Sequence, residues 1–149
     1  MNEYKEYAGK ILNDLCESQR WLDRSFGICK KIGVKDEYTA EEFDAFENLC
    51  SRFARTSDLI IQKVFRCIDK IELEDGGSLI DVVNRAHKRG IVNSVDKIRE
   101  IRELRNEIAH EYTDRNLKEL FSRILQLSED LFEIIENIKV YFKKMDEED

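Results

Sequence analysis

Residues 39–72 read TAEEFDAFENLCSRFARTSDLIIQKVFRCIDKIE, and this stretch decides the fold. Thr39-Ala40-Glu41-Glu42 has the form of a capping box, in which the Thr39 hydroxyl accepts from the Glu42 N–H while the Glu42 carboxylate reaches back. Projected at about 100° per residue, Leu49, Phe53, Ile60, Val64, Cys67 and Ile71 fall within roughly 60° of arc, a core-facing sector. The spacing predicts one long amphipathic helix, ended by Gly76-Gly77.

Four more helices follow from the same signals. One spans about 2–31, with Tyr4, Ile11, Leu15, Leu22, Phe26 and Cys29 at three-, four- and seven-residue steps, and stops at Gly33. Ser78 caps a short helix ending at Gly90, and Ser94 caps another through about residue 110, with Ile98, Ile101, Leu104 and Ile108 as its core positions. Asn116 starts the last, which fades into the acidic end at 146–149. The chain of 149 residues holds no proline and six glycines, too few turn residues for a β-sandwich or barrel. Its 42% hydrophobic content is enough for a core, which excludes disorder. Short connections favour antiparallel neighbours, so the expected architecture is a single all-α domain over 1–149, an up-and-down bundle of four to five helices.

Charge and cysteines narrow the function. There are 25 basic and 32 acidic side chains, a net −7, which argues against a broad nonspecific grip on nucleic acid. The sum is uneven. Residues 85–105 carry seven Lys or Arg against three acids, whereas 128–149 carry eight acids against three lysines, so a local basic cleft survives. On the 39–72 helix Arg52, Arg55, Lys63, Arg66 and Lys70 fall within about 80° of one another. Either this stripe is a solvated face paired with acids or it is a phosphate-binding wall. No apolar run approaches membrane-spanning length and the N-terminus is no signal peptide, so no membrane association and a cytoplasmic location are expected. Cys16, Cys29, Cys50 and Cys67 form no C-x-x-C pair and read as buried thiols.

One segment combines several chemically useful groups: Leu104-Arg105-Asn106-Glu107-Ile108-Ala109-His110-Glu111-Tyr112. Histidine moves protons near neutral pH, and arginine holds phosphate. Glu107 and His110 have the i, i+3 spacing of di-iron bundles, but the second such pair is missing, since His87 has Asn84 at the matching place; no metal or other cofactor is expected. On an unbroken helix Arg105 and His110 point about 140° apart. Joint action therefore requires the long Arg side chain to curl round, the helix to unwind near Ala109-His110, or a second protomer to supply one of the groups. Arg102, Asn106 and His110, at i, i+4 and i+8, lie nearly on one line, which makes Arg102 a second candidate phosphate ligand.

The R-x-x-x-x-H pattern with Asn after the Arg resembles the signature of HEPN domains, α-helical bundles many of which are metal-independent ribonucleases. The extended R-x-x-x-x-H-x-Y form, at Arg105, His110 and Tyr112, is similar to the HepT toxin branch. The resemblance implies a homodimer whose two motifs meet in one cleft. His110 would act on the ribose 2′-hydroxyl or the leaving oxygen, Arg105 on the scissile phosphate, and Asn106 would orient the pair. RNA is the implied substrate, because only RNA has the attacking 2′-hydroxyl, and the product is a 2′,3′-cyclic phosphate. Arg102, Arg52, Arg55, Lys63 and Arg66 are the expected RNA- or phosphate-binding residues. The branch pairs its toxins with MntA-like nucleotidyltransferase antitoxins, which transfer AMP to the position matching Tyr112. The alternative is a non-catalytic HEPN module, a nucleotide-binding or adaptor subunit for such a nucleotidyltransferase.

Overall fold

A computed structural model describes residues 2–110 and 117–148. The elements are α1 (Asn2–Ile32), α2 (Ala40–Asp58), a π-helical segment (Leu59–Val64), α3 (Phe65–Ile71), α4 (Leu79–Lys88), α5 (Val95–Ala109) and α6 (Leu117–Glu147). No strand occurs among the described residues, and the architecture is the expected antiparallel helical bundle.

Local chemistry sets the ends. The Thr39 capping box is formed: the Glu42 N–H donates to Thr39 Oγ1 at 3.2 Å and the Thr39 N–H donates to Glu42 Oε1 at 3.0 Å. Ser78 forms a second box with Asp81 at the start of α4, and Ser94 Oγ accepts from the Asp96 N–H at 3.1 Å to open α5. Gly33 ends α1 at φ +78°, a left-handed conformation that a side chain would strain. The expected start at Asn116 lies outside the described residues.

The core runs through all the long helices. Phe46 of α2 stacks on Phe121 of α6 with centroids 4.2 Å apart and planes 8° from parallel, and Tyr38 meets both edge-on. Leu15 and Leu22 of α1, Phe53 of α2 and Leu104 of α5 are fully buried in the same core. Burying each such side chain contributes about 1.5–3 kcal/mol. Tyr4, read as part of the first core stripe, is instead exposed, as is Cys16; Cys29, Cys50 and Cys67 are buried as expected. Cys16 lies beside the core-facing Leu15, and one step along a helix turns a side chain by about 100°.

The 39–72 helix is not the uniform α-helix expected. It carries a π-helical turn, in which the Phe65 N–H donates to Ile60 O five residues back. Thr56 Oγ1 donates to Arg52 O and Ser57 Oγ to Phe53 O, each at 2.8 Å, on the turn immediately before. Hydroxyls that bond to i−4 carbonyls weaken the regular ladder there. The π segment holds about one extra residue per turn, so residues beyond it are rotated relative to those before. Buried Ile61, Phe65 and Ile68 thereby join the core set.

A buried carboxylate clamps the far end of the same rod. Asp69, 1% exposed, accepts from Arg85 Nη2 at 3.0 Å and Arg89 Nη1 at 2.5 Å. Arg89 Nε also meets Glu72 at 2.8 Å, and the Tyr141 hydroxyl donates to the same Glu72. This network ties α3, α4 and α6 together.

Candidate functional site

The motif sits on α5, which packs against α2 and α6. Arg105 leaves α5 toward Asp58, the last residue of α2. Its Nε and Nη2 donate to Asp58 Oδ1 and Oδ2, both at 2.9 Å, a two-pronged pairing of guanidinium and carboxylate. That pairing pushes the Arg105 pKa up from an already high value, so the group is a permanent cation. The pair is open to solvent, with side chains 31% and 46% exposed.

Two hollows meet at this pair. The smaller, about 100 Å³, is lined by Ser57, Asp58, Ile61, Gln62, Arg102, Arg105 and Asn106. The larger, about 430 Å³, shares Asp58 and Arg105 with it and includes Arg55, Ile108 and Ala109. The structure thus brings Arg102, Arg105 and Asn106 to one place. Arg102 makes no ion pair among the described residues, and the Asn106 side chain is exposed there without a described hydrogen-bond partner. The π segment contributes Ile61 and Gln62, so the irregular turn shapes the floor of the site.

His110 stands at the C-terminal end of α5. The α-helix ends at Ala109, and His110 adopts extended backbone at φ −99° and ψ 157°, its N–H bonded to Glu107 O at 3.2 Å. The imidazole is exposed, one residue past the Ala109 that lines the larger hollow. The extended ψ of His110 redirects the chain that follows rather than its own side chain, and His110 lines neither hollow at Arg105. Glu107, whose spacing from His110 invites a metal reading, gives its carboxylate to Arg123 of α6 at 2.5 Å. Tyr112 lies outside the described residues.

The basic stripe of the 39–72 helix does not persist as one face. Arg52 is drawn onto α1: its Nη1 donates to Ser25 Oγ at 2.7 Å and Trp21 O at 3.2 Å, and its guanidinium lies over the Trp21 ring. Arg55 lines the larger hollow at Arg105. Lys63 is exposed and Arg66 half-buried, beyond the point where the helix changes pitch, and neither lines a hollow at Arg105. The basic run at 85–105 is also largely matched by acids. Arg85 and Arg89 turn inward to Asp69, Lys97 meets Glu100 and Asp130, Arg99 meets Asp96, and Arg105 meets Asp58. Of that run Lys88 and Arg102 have no ion pair among the described residues. Asp58 and the π segment are the parts of the site that pattern reading missed; adjacent Thr56 and Ser57 were the available signal for the latter.

Among the described residues no helix is long and apolar enough to cross a membrane. No curated protein and no solved structure gives a significant match to the chain. The model of one family, described as ribonuclease HepT-like, matches residues 11–138, which runs from within α1 through most of α6 and takes in the whole Arg105–Tyr112 motif. By that match over most of its length, the chain belongs to the ribonuclease HepT-like family.

Proposed function

We propose that this chain is a metal-independent endoribonuclease toxin, folded as one HEPN-like unit over its full length and active as a homodimer on RNA in the cytoplasm. The observation that carries the reading is the solvent-open guanidinium fork of Arg105, beside Arg102 and Asn106, with an exposed imidazole at the unwound end of the same helix.

The chemistry follows from those groups. The imidazole of His110 takes the proton from a ribose 2′-hydroxyl. The 2′-oxygen attacks the adjacent phosphorus, and the bond to the 5′-oxygen breaks as that oxygen gains a proton. The products are a 2′,3′-cyclic phosphate and a free 5′-hydroxyl. Arg105 offsets the charge that builds on the non-bridging oxygens. A phosphate presents two oxygens much as a carboxylate does, so it replaces Asp58 on the same fork. Asn106 orients the phosphate, and Arg102, Arg55 and, further out, Lys63 and Arg66 hold flanking linkages. Two copies of α5 facing each other bring the second protomer's imidazole to the leaving oxygen. An MntA-like nucleotidyltransferase antitoxin silences the toxin by AMP transfer to Tyr112.

The Asp58 carboxylate on Arg105 favours one other reading, a non-catalytic subunit that binds nucleotide or its nucleotidyltransferase partner without turnover. Incubation of the purified protein with RNA and EDTA separates the two. The wild type is expected to cut and His110→Ala to be inert; full activity of that variant overturns the assignment, and binding without cleavage selects the adaptor.

A further inference from the structure

A second groove adjoins the motif, between α1 and α2. It is lined by Asp14, Glu17, Ser18 and Trp21 of α1 and by Arg52 and Arg55 of α2, and encloses about 460 Å³. Arg55 lines both this groove and the larger hollow at Arg105, which places the two side by side. Arg55 is exposed and has no ion pair among the described residues.

At the head of the groove is the chain's single tryptophan, 41% exposed. The molecule holds this indole firmly. Arg52 lies 5.2 Å from the ring centroid and is itself tied to the Trp21 carbonyl and Ser25. A second guanidinium, that of Arg20, also sits 5.2 Å from the centroid, but it is 70% exposed and among the described residues pairs with Glu17 alone, at 3.6 Å. Arg20 does not line the groove; Trp21 does, and its exposed indole offers a flat surface on which a planar base stacks.

We propose that this groove is a base-stacking subsite for the RNA strand beside the cleaved linkage. The inference rests on the ribonuclease reading and adds where the neighbouring nucleotide goes. Its phosphate lies over Arg55 and its base on Trp21. Asp14 and Glu17 at the rim repel phosphate, which fixes the polarity, and their carboxylates accept hydrogen bonds from exocyclic amino groups. The subsite therefore prefers adenine, cytosine or guanine to uracil, which carries no amino group. A stacked base on one aromatic ring accounts for about a ten-fold change in affinity.

The single indole makes the test direct. The probe is a labelled oligoribonucleotide with 2′-O-methyl groups, which lacks the attacking hydroxyl and stays intact. Label polarisation reports binding anywhere on the protein, and tryptophan emission reports the groove. Saturating quenching is expected to track the polarisation curve. Trp21→Ala is expected to weaken binding about ten-fold, Trp21→Phe less. Arg55→Ala, at an exposed position, is expected to weaken it with no change in melting temperature, and oligo-U to bind less well than oligo-A. Binding with unchanged emission and undiminished affinity in Trp21→Ala overturns the subsite while leaving the ribonuclease reading intact, provided that ordinary RNA is cut. Quenching without cleavage of ordinary RNA keeps the subsite and removes the nuclease. Absence of both binding and cleavage removes both.

Discussion

Arg105→Ala separates the structural from the chemical use of one side chain. In the free protein the guanidinium forks onto Asp58 with two bonds of 2.9 Å, but the partners are 31% and 46% exposed. Water and salt screen such a pair, and exposed ion pairs contribute about 0.2–1 kcal/mol. The two-pronged geometry places this one near the top of that range. For a chain of this size about 1 kcal/mol is worth roughly 2–4 °C in melting temperature. The same residue, if it offsets charge on the pentavalent phosphorus, supplies far more to the reaction: removing one such donor costs about 100- to 1,000-fold in rate. The variant should thus melt within a few degrees of wild type and cleave RNA at least about a hundred-fold more slowly. Arg105→Lys keeps the charge but loses the planar fork and should fall between the two. Thermal melts and single-turnover cleavage on the same preparations give both quantities. A fall of about 10 °C or more in Arg105→Ala would make the residue a brace. A rate within about ten-fold of wild type would remove it from the chemistry.

Three further outcomes probe the scaffold. Asp69→Ala leaves Arg85 and Arg89 without their buried counter-charge and should destabilise by about 3–5 kcal/mol, seen in urea or thermal melts as a loss of roughly 10 °C. Burial pushes the thiol pKa up to about 11 at Cys29 and about 12 at Cys50, and upward at Cys67, whereas Cys16 is exposed. A native thiol titration should therefore count one fast-reacting cysteine, and all four after unfolding; more than one fast thiol contradicts the packing. Burial, and then the bond to Glu72, raise Tyr141 from 10.0 to about 12. A raised value in the folded state means stability that is complete below pH 10.0 and is lost as pH rises toward about 12. The melting-temperature gap between wild type and Tyr141→Phe should shrink over that interval, and a constant gap would contradict the shift.

The caps and the core were legible because each is a local signal. Thr39 with Glu42 and Ser94 ahead of α5 name their own helix ends, and the spacing of Ile98, Ile101 and Leu104 names the buried face of α5. The motif was legible as a pattern; a helix end near Ala109 was one of the alternatives that the spacing of about 140° between Arg105 and His110 called for, and α5 does end there, although His110 lines neither hollow at Arg105. What escaped was set by partners distant in the chain. Nothing near Arg105 points to Asp58, 47 residues earlier. Arg85 and Arg89 read as part of a local basic cleft because the buried acid they meet, Asp69, lies on another helix. The π turn was hidden because Leu59-Ile60-Ile61 suits either pitch, and only the hydroxyls of Thr56 and Ser57 mark it. Its shift of phase divided a stripe that a uniform projection had drawn as continuous.

The most direct measurement concerns the attacking atom. An RNA is cut by the wild-type protein in EDTA, the scission point is mapped, and the same RNA is remade with one 2′-deoxynucleotide on the 5′ side of that linkage. If His110 takes a proton from the ribose hydroxyl, the remade linkage stays whole while unaltered sites elsewhere are still cut, and the ordinary fragments end in cyclic phosphate. Cleavage at the deoxy position, or fragments carrying 5′-phosphates, would contradict the account.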